Sequence, residues 1–109
     1  GAKPGLAIAG EHLHWVDHSH DDSGLRRIPL DGGDMEMLDP DASRPIHSTG
    51  DAVYYAGWDG EVRKLGAGQS CPVVLAAVES KYHTLSAFTS DDSKLYGIAT
   101  DGQMFAVSR

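Results

Sequence analysis

The 109-residue chain has one cysteine, Cys71. A single thiol closes no internal disulfide and builds no cysteine-based zinc site, so cysteine usage leaves the compartment open. Basic residues are also scarce: 9 Lys and Arg stand against 16 Asp and Glu, a formal charge of −7. Nucleic-acid binding rests on cationic surface that displaces counterions, so this balance argues against a nucleic-acid partner. Anionic membrane is disfavoured for the same reason. Long apolar runs are missing too. The longest, residues 73–78, has the length of a strand and not the ~20 residues of a membrane-spanning helix, and a soluble chain is expected. No apolar stripe at helical spacing persists over ten residues. The sequence holds no phosphate-binding loop and no nucleophile elbow followed by Asp and His.

What is present is a globular balance, 40 % hydrophobic and 23 % charged residues, distributed in short runs. Leu6-Ala7-Ile8-Ala9-Gly10 is followed by His12-Leu13-His14-Trp15-Val16-Asp17, then Leu25-Arg26-Arg27-Ile28, then Met35-Glu36-Met37-Leu38. A second series begins at Ile46 and continues through Val53-Tyr54-Tyr55, Val62-Arg63-Lys64-Leu65 and Val73-Val74-Leu75. A third runs from Leu85 through Leu95-Tyr96-Gly97-Ile98 to Met104-Phe105-Ala106-Val107. Leu6, Ile46 and Leu85 open the first runs, and Leu13, Val53 and Leu95 the second, at intervals of about 40 residues. Such a period, filled with four-to-six-residue apolar runs, is that of propeller blades. Between the runs stand Asp59-Gly60 and Asp101-Gly102, which suit tight hairpins, and Gly, Asp, Ser and Pro clusters that end strands.

The expected fold is therefore all-β: about two and a half four-stranded antiparallel β-propeller blades, over residues 6–45, 46–84 and 85–109, within a six-bladed ring. His12-Leu13-His14-Trp15-Val16-Asp17 with Gly24-Leu25-Arg26-Arg27-Ile28-Pro29-Leu30-Asp31-Gly32-Gly33 resembles the YWTD blade of low-density-lipoprotein-receptor-type propellers. Ser90-Asp91-Asp92-Ser93-Lys94-Leu95-Tyr96 is more similar to the blades of TolB-like propellers. The resemblance implies the broader six-bladed superfamily. It specifies a blade and not an activity.

The third series lacks a fourth strand. The expectation is a C-terminal portion of a longer propeller whose closing strand lies elsewhere. The rival is a short chain that assembles, for example two copies forming one six-bladed ring. Further blades or a second copy are thus expected partners.

In a blade of this polarity the first strands line the channel, and the rim carries residues 17–24, 39–45, 57–60, 79–84 and 100–102. The first rim segment is the unusual one. Its His18-Ser19-His20-Asp21-Asp22-Ser23 offers imidazole and carboxylate, the ligands of divalent metals, or equally a solvated polar loop. Trp58, Tyr82 and His83 occupy other rim segments, where an aromatic can stack on a ligand or cap the blade end. His47 and Ser48 fall on a first strand and are expected at the channel. A channel histidine can ligate a metal or act as a base. His14 and Trp15 are expected to pack between blades.

These residues support two functional expectations. One is a non-catalytic binding or scaffold module that contacts a protein or small-molecule ligand through His18, His20, Asp21, Asp22, Trp58, Tyr82 and His83. The other is a segment of a propeller hydrolase or lyase with a divalent metal at His18, His20 and His47. No cofactor is certain, and the divalent metal belongs to the second expectation alone.

Overall fold

The structure is a computed structural model that describes residues 6–17, 24–57, 61–77, 85–99, 102 and 104–109, with backbone only at Arg44, Ala77 and Ser86. It is all-β, with three antiparallel sheets. The first sheet holds β1 (Leu6–Ala9), β2 (His12–Asp17), β3 (Gly24–Pro29) and β4 (Glu36–Asp39) in that spatial order. The second holds β5 (Ala42–Ser48), β6 (Ala52–Gly57), β7 (Glu61–Gly66) and β8 (Val73–Ala77). The third holds β9 (Leu85–Ser90), β10 (Lys94–Ala99) and β11 (Met104–Ser108). Each sheet is a meander, and the four-four-three pattern is the one the sequence runs imply.

Two apolar cores separate the sheets. Ala7, Ala9, Val16 and Leu25 meet Ile46, Val53, Tyr55 and Leu65 in the first. Ala52, Tyr54, Ala56 and Val62 meet Leu85, Leu95 and Ala99 in the second. Successive strand residues point to opposite faces, so Val53 and Tyr55 serve one core while Ala52, Tyr54 and Ala56 serve the other. Every residue of β6 is buried as a result. A strand covered on both faces has no reason to alternate apolar with polar residues, which explains the unbroken Ala-Val-Tyr-Tyr-Ala run.

The first strands lie side by side across the stack, with β5 in contact with both β1 and β9. Between β1 and β5 the Gly10 amide donates to the Gly50 carbonyl at 2.9 Å, beside an Ala9–Gly50 bridge. β4 and β8 form the opposite margin. No helix of the described residues is long and apolar enough to cross a membrane.

Local chemistry places several boundaries away from the sequence expectation. β4 begins at Glu36 and ends at Asp39. β5 begins at Ala42, four residues before the run that opens on Ile46, and a register shift between Ser43 and Ile46 accommodates Pro45. Proline has no ladder amide to donate, so an irregularity is where it fits inside a strand. Residues 39–45 are consequently not a rim loop: only Pro40 and Asp41 turn between β4 and β5. Trp15 differs as well. It lies opposite Leu6 on the outward face of the first sheet, half-buried, and not between two sheets.

Gly24 is required where β3 starts. Its φ is +144°, and a Cβ there would stand 2.6 Å from the Asp39 carbonyl oxygen. An L side chain meets both a steric and a conformational penalty at that site.

Candidate functional site

Of the nine residues proposed from sequence, His47 and Ser48 fall within the described residues. His18, His20, Asp21, Asp22, Trp58, Tyr82 and His83 lie outside them. His47 and Ser48 are consecutive on β5 and so serve opposite faces of the second sheet. His47 stands opposite Tyr54, and Ser48 opposite Val53. The strand therefore does not bring the two together.

His47 instead meets the third sheet. Its Nε2 lies 2.9 Å from the Ser90 Oγ at the end of β9. Burial, and then the positive field of Arg109, hold the imidazole below its usual pKa and favour the neutral ring. Arg109 is the centre of the surrounding polar groups. Its Nε donates to the Tyr54 hydroxyl at 3.2 Å, and its guanidinium sits over the Tyr54 ring, 6.0 Å from the centroid. A further guanidinium nitrogen donates to the Asp91 carbonyl, and another lies 3.6 Å from the Asp51 carboxylate. Lys64 approaches the same Tyr54 ring at 5.9 Å. Two cations at one phenol ring form a compact cation–π arrangement.

Next to this cluster, Asp91 organises the turn between β9 and β10. Its carboxylate accepts from the Ser93 and Lys94 amides at 2.9 and 2.8 Å and from the Tyr96 hydroxyl at 2.8 Å. The two amides, followed by the Tyr96 hydroxyl, lower its pKa to about 2. Asp91 is thus a fixed anion in the neutral pH range.

A second polar group joins the first two sheets near β4. The buried Asp39 carboxylate accepts from the Tyr55 hydroxyl at 2.7 Å, the Arg63 guanidinium at 2.7 Å and the Asp41 amide at 2.9 Å. Burial alone would raise its pKa. The bonds from Tyr55, Arg63 and Asp41 outweigh burial and hold it below the usual carboxylate range. Burial and the Asp39 bond push the Tyr55 phenol well up. Arg63 also donates to Glu61 at 2.6 and 3.0 Å. This group locks structure, since its central carboxylate has three donors on it already.

Arg27 ties the same seam further along. It donates to Glu36 at 3.1 Å and to the Gln69 carbonyl of the second sheet at 2.8 Å. Across from Arg27 sits His14, 1 % exposed, and neither ring nitrogen has a hydrogen-bond partner among the described residues. Burial, then Arg27 and His12, lower its pKa to about 4. Its packed place between two sheets agrees with the sequence reading. Asp17 lies 3.8 Å from Arg26 at the end of β2. Cys71 is exposed just ahead of β8.

Among the described residues no three His, Cys, Asp or Glu side chains gather as a metal-binding group. The sequence reading missed Ser90, Arg109 and Tyr54 as companions of His47. Their spacing carries no signal, because the contact joins strands 43 residues apart across two sheets. No protein-family model matches the chain, and no curated protein matches it either.

Proposed function

We propose that the chain is a stack of β-propeller blades serving as a non-catalytic binding or scaffold module, within the YWTD and TolB-like six-bladed class. The observation that carries this reading is the convergence of β1, β5 and β9 in three successive meanders. First strands side by side and outer strands at the opposite margin are the arrangement a propeller repeats around its axis. The module contacts a protein or small-molecule ligand through the rim segment His18, His20, Asp21 and Asp22, with Trp58, Tyr82 and His83. The charged groups of the described residues support a structural role, since Asp39, Arg27 and Arg109 each hold several protein partners.

A hydrolase or lyase reading has one observation in its favour. Burial lowers the His47 pKa and so favours the neutral ring, and a serine hydroxyl lies 2.9 Å from Nε2, within the reach a general base needs of a hydroxyl proton. Metal analysis of the purified chain separates the two. The scaffold reading expects metal-free protein and no thermal shift with Zn²⁺, Ca²⁺ or Mn²⁺. Stoichiometric metal that is lost in His18→Ala or in His47→Ala would favour the enzyme reading in its place.

A further inference from the structure

One cross-strand pair recurs at the same register in all three sheets. Leu13 pairs with Ile28, Val53 with Leu65, and Leu95 with Val107. Val53 and Leu65 are buried against the first sheet. Leu95 and Val107 pack against the second. Each of these pairs faces the preceding sheet. The equivalent pair in the first sheet, Leu13 and Ile28, faces outward. Beside it on that face stand Leu6, 68 % exposed, and Ile8, 52 % exposed.

The opposite faces repeat in the same way. His14 of the first sheet and Tyr54 of the second point toward the following sheet. Tyr96 holds their register position in the third sheet, opposite Thr89 as Tyr54 is opposite His47. It faces outward, beside an apolar depression of about 210 Å³ lined by Ala87, Thr89, Gly97, Ile98 and Met104. The two ends of the stack therefore repeat, at the same register, the two kinds of face that meet twice inside the molecule. One end projects Leu6 and Ile8; the other offers a hollow.

We propose that a second copy of this chain docks head to tail, so that the Leu6–Ile8 face of each copy fills the Ala87–Met104 depression of the other. It rests on the stacked-blade part of the reading above and not on its ligand-binding part. Size favours closure by two junctions. Three or four strands at ~4.8 Å and five residues at ~3.4 Å make each end face roughly 300 Å². One junction, roughly 600 Å², is below the ~1,200 Å² of a stable complex, whereas two junctions reach it. Two copies joined at both ends form a closed ring of six sheets, with the symmetry of a dimer. The repeat also fixes the contact at the centre. Ser90 of the third sheet meets His47 of the second, and the corresponding junction sets Ile8 of one copy beside Thr89 of the other.

Sedimentation equilibrium of the chain at roughly 1–100 µM tests the proposal. The expected result is a two-chain species, reduced to one chain in Leu6→Asp and, separately, in Met104→Asp. Both positions are exposed within one copy, so each variant should retain the wild-type cooperative melt measured at a concentration where all are monomeric. A single-chain mass for the wild type at 100 µM would overturn the proposal. So would a dimer that Leu6→Asp abolishes and Met104→Asp leaves intact, since that outcome means like faces meet. Neither result depends on bound metal, so failure here is distinct from failure of the scaffold reading.

Discussion

The two seams between sheets are closed by different chemistry. Buried charge pins the first: Asp39 with Tyr55 and Arg63, and Arg27 with Glu36 and Gln69. The second relies on aromatic and aliphatic packing, with Phe88 and Phe105 edge to face at 6.3 Å and the ring of Phe105 covering Gly97. Its polar groups, His47, Ser90 and Arg109, are partly accessible. The first seam therefore has more to lose from a single missing partner. A buried charge left uncompensated costs more than a buried pair gains, whereas apolar packing degrades in proportion to the atoms removed.

The largest expected effect tests this at the first seam. Tyr55→Ala removes a fully buried ring and one donor to Asp39, and should lower unfolding free energy by about 4 kcal/mol in urea titrations. Leu95→Ala, at the second seam, should cost less, about 3 kcal/mol. A result in the reverse order would break the comparison.

Acid gives the next effect. His14 has a folded pKa of about 4 against an ordinary 6.5. The unfolded chain takes up the proton first as pH falls, so stability is full above pH 6.5 and declines toward pH 4. The loss amounts to roughly 3 kcal/mol at ~1.4 kcal/mol for each unit. Asp39 acts in the same direction at lower pH, because its depressed carboxyl is protonated more readily once unfolded. His14→Leu should flatten the profile between pH 6.5 and 4, as read from melting temperature against pH.

Two smaller changes sharpen the comparison. Tyr55→Phe keeps the ring and deletes only the hydroxyl bond to Asp39, for about 2 kcal/mol. Ser90→Ala deletes the corresponding bond of the second seam, to His47, for about 1 kcal/mol or less. Equal costs in chemical denaturation would mean that both seams tolerate the loss of a polar partner alike.

Much of this is legible in the sequence. Leu13, Val53 and Leu95 mark second strands that recur in the structure at equivalent register, and Leu6 and Ile46 stand at equivalent places opposite Trp15 and Tyr55, whereas Leu85 lies opposite Ala99 and Phe88 holds the matching place opposite Gly97. The packed role of His14 is among the sequence expectations, and the structure buries it. The role of Pro45 was not legible. A proline between two runs reads as a loop residue, and only the bulge in β5 keeps it within a strand. Trp15 misled for another reason. Its sequence pattern calls for a neighbouring sheet, and on that face of the described residues there is none. The sequence marks His47 but not the Ser90 hydroxyl it meets, because it carries no record of which strands cross a seam.

Sequence alone determined which runs become strands and their order in each meander. Those depend on local period and on turn residues, which act over a few positions. The tertiary structure decided which polar groups share a partner. Asp39 with Arg63, Arg27 with Gln69 and His47 with Ser90 are joined over 24, 42 and 43 residues. Such contacts depend on how sheets are laid against one another, and the spacing of residues within a sheet does not encode that.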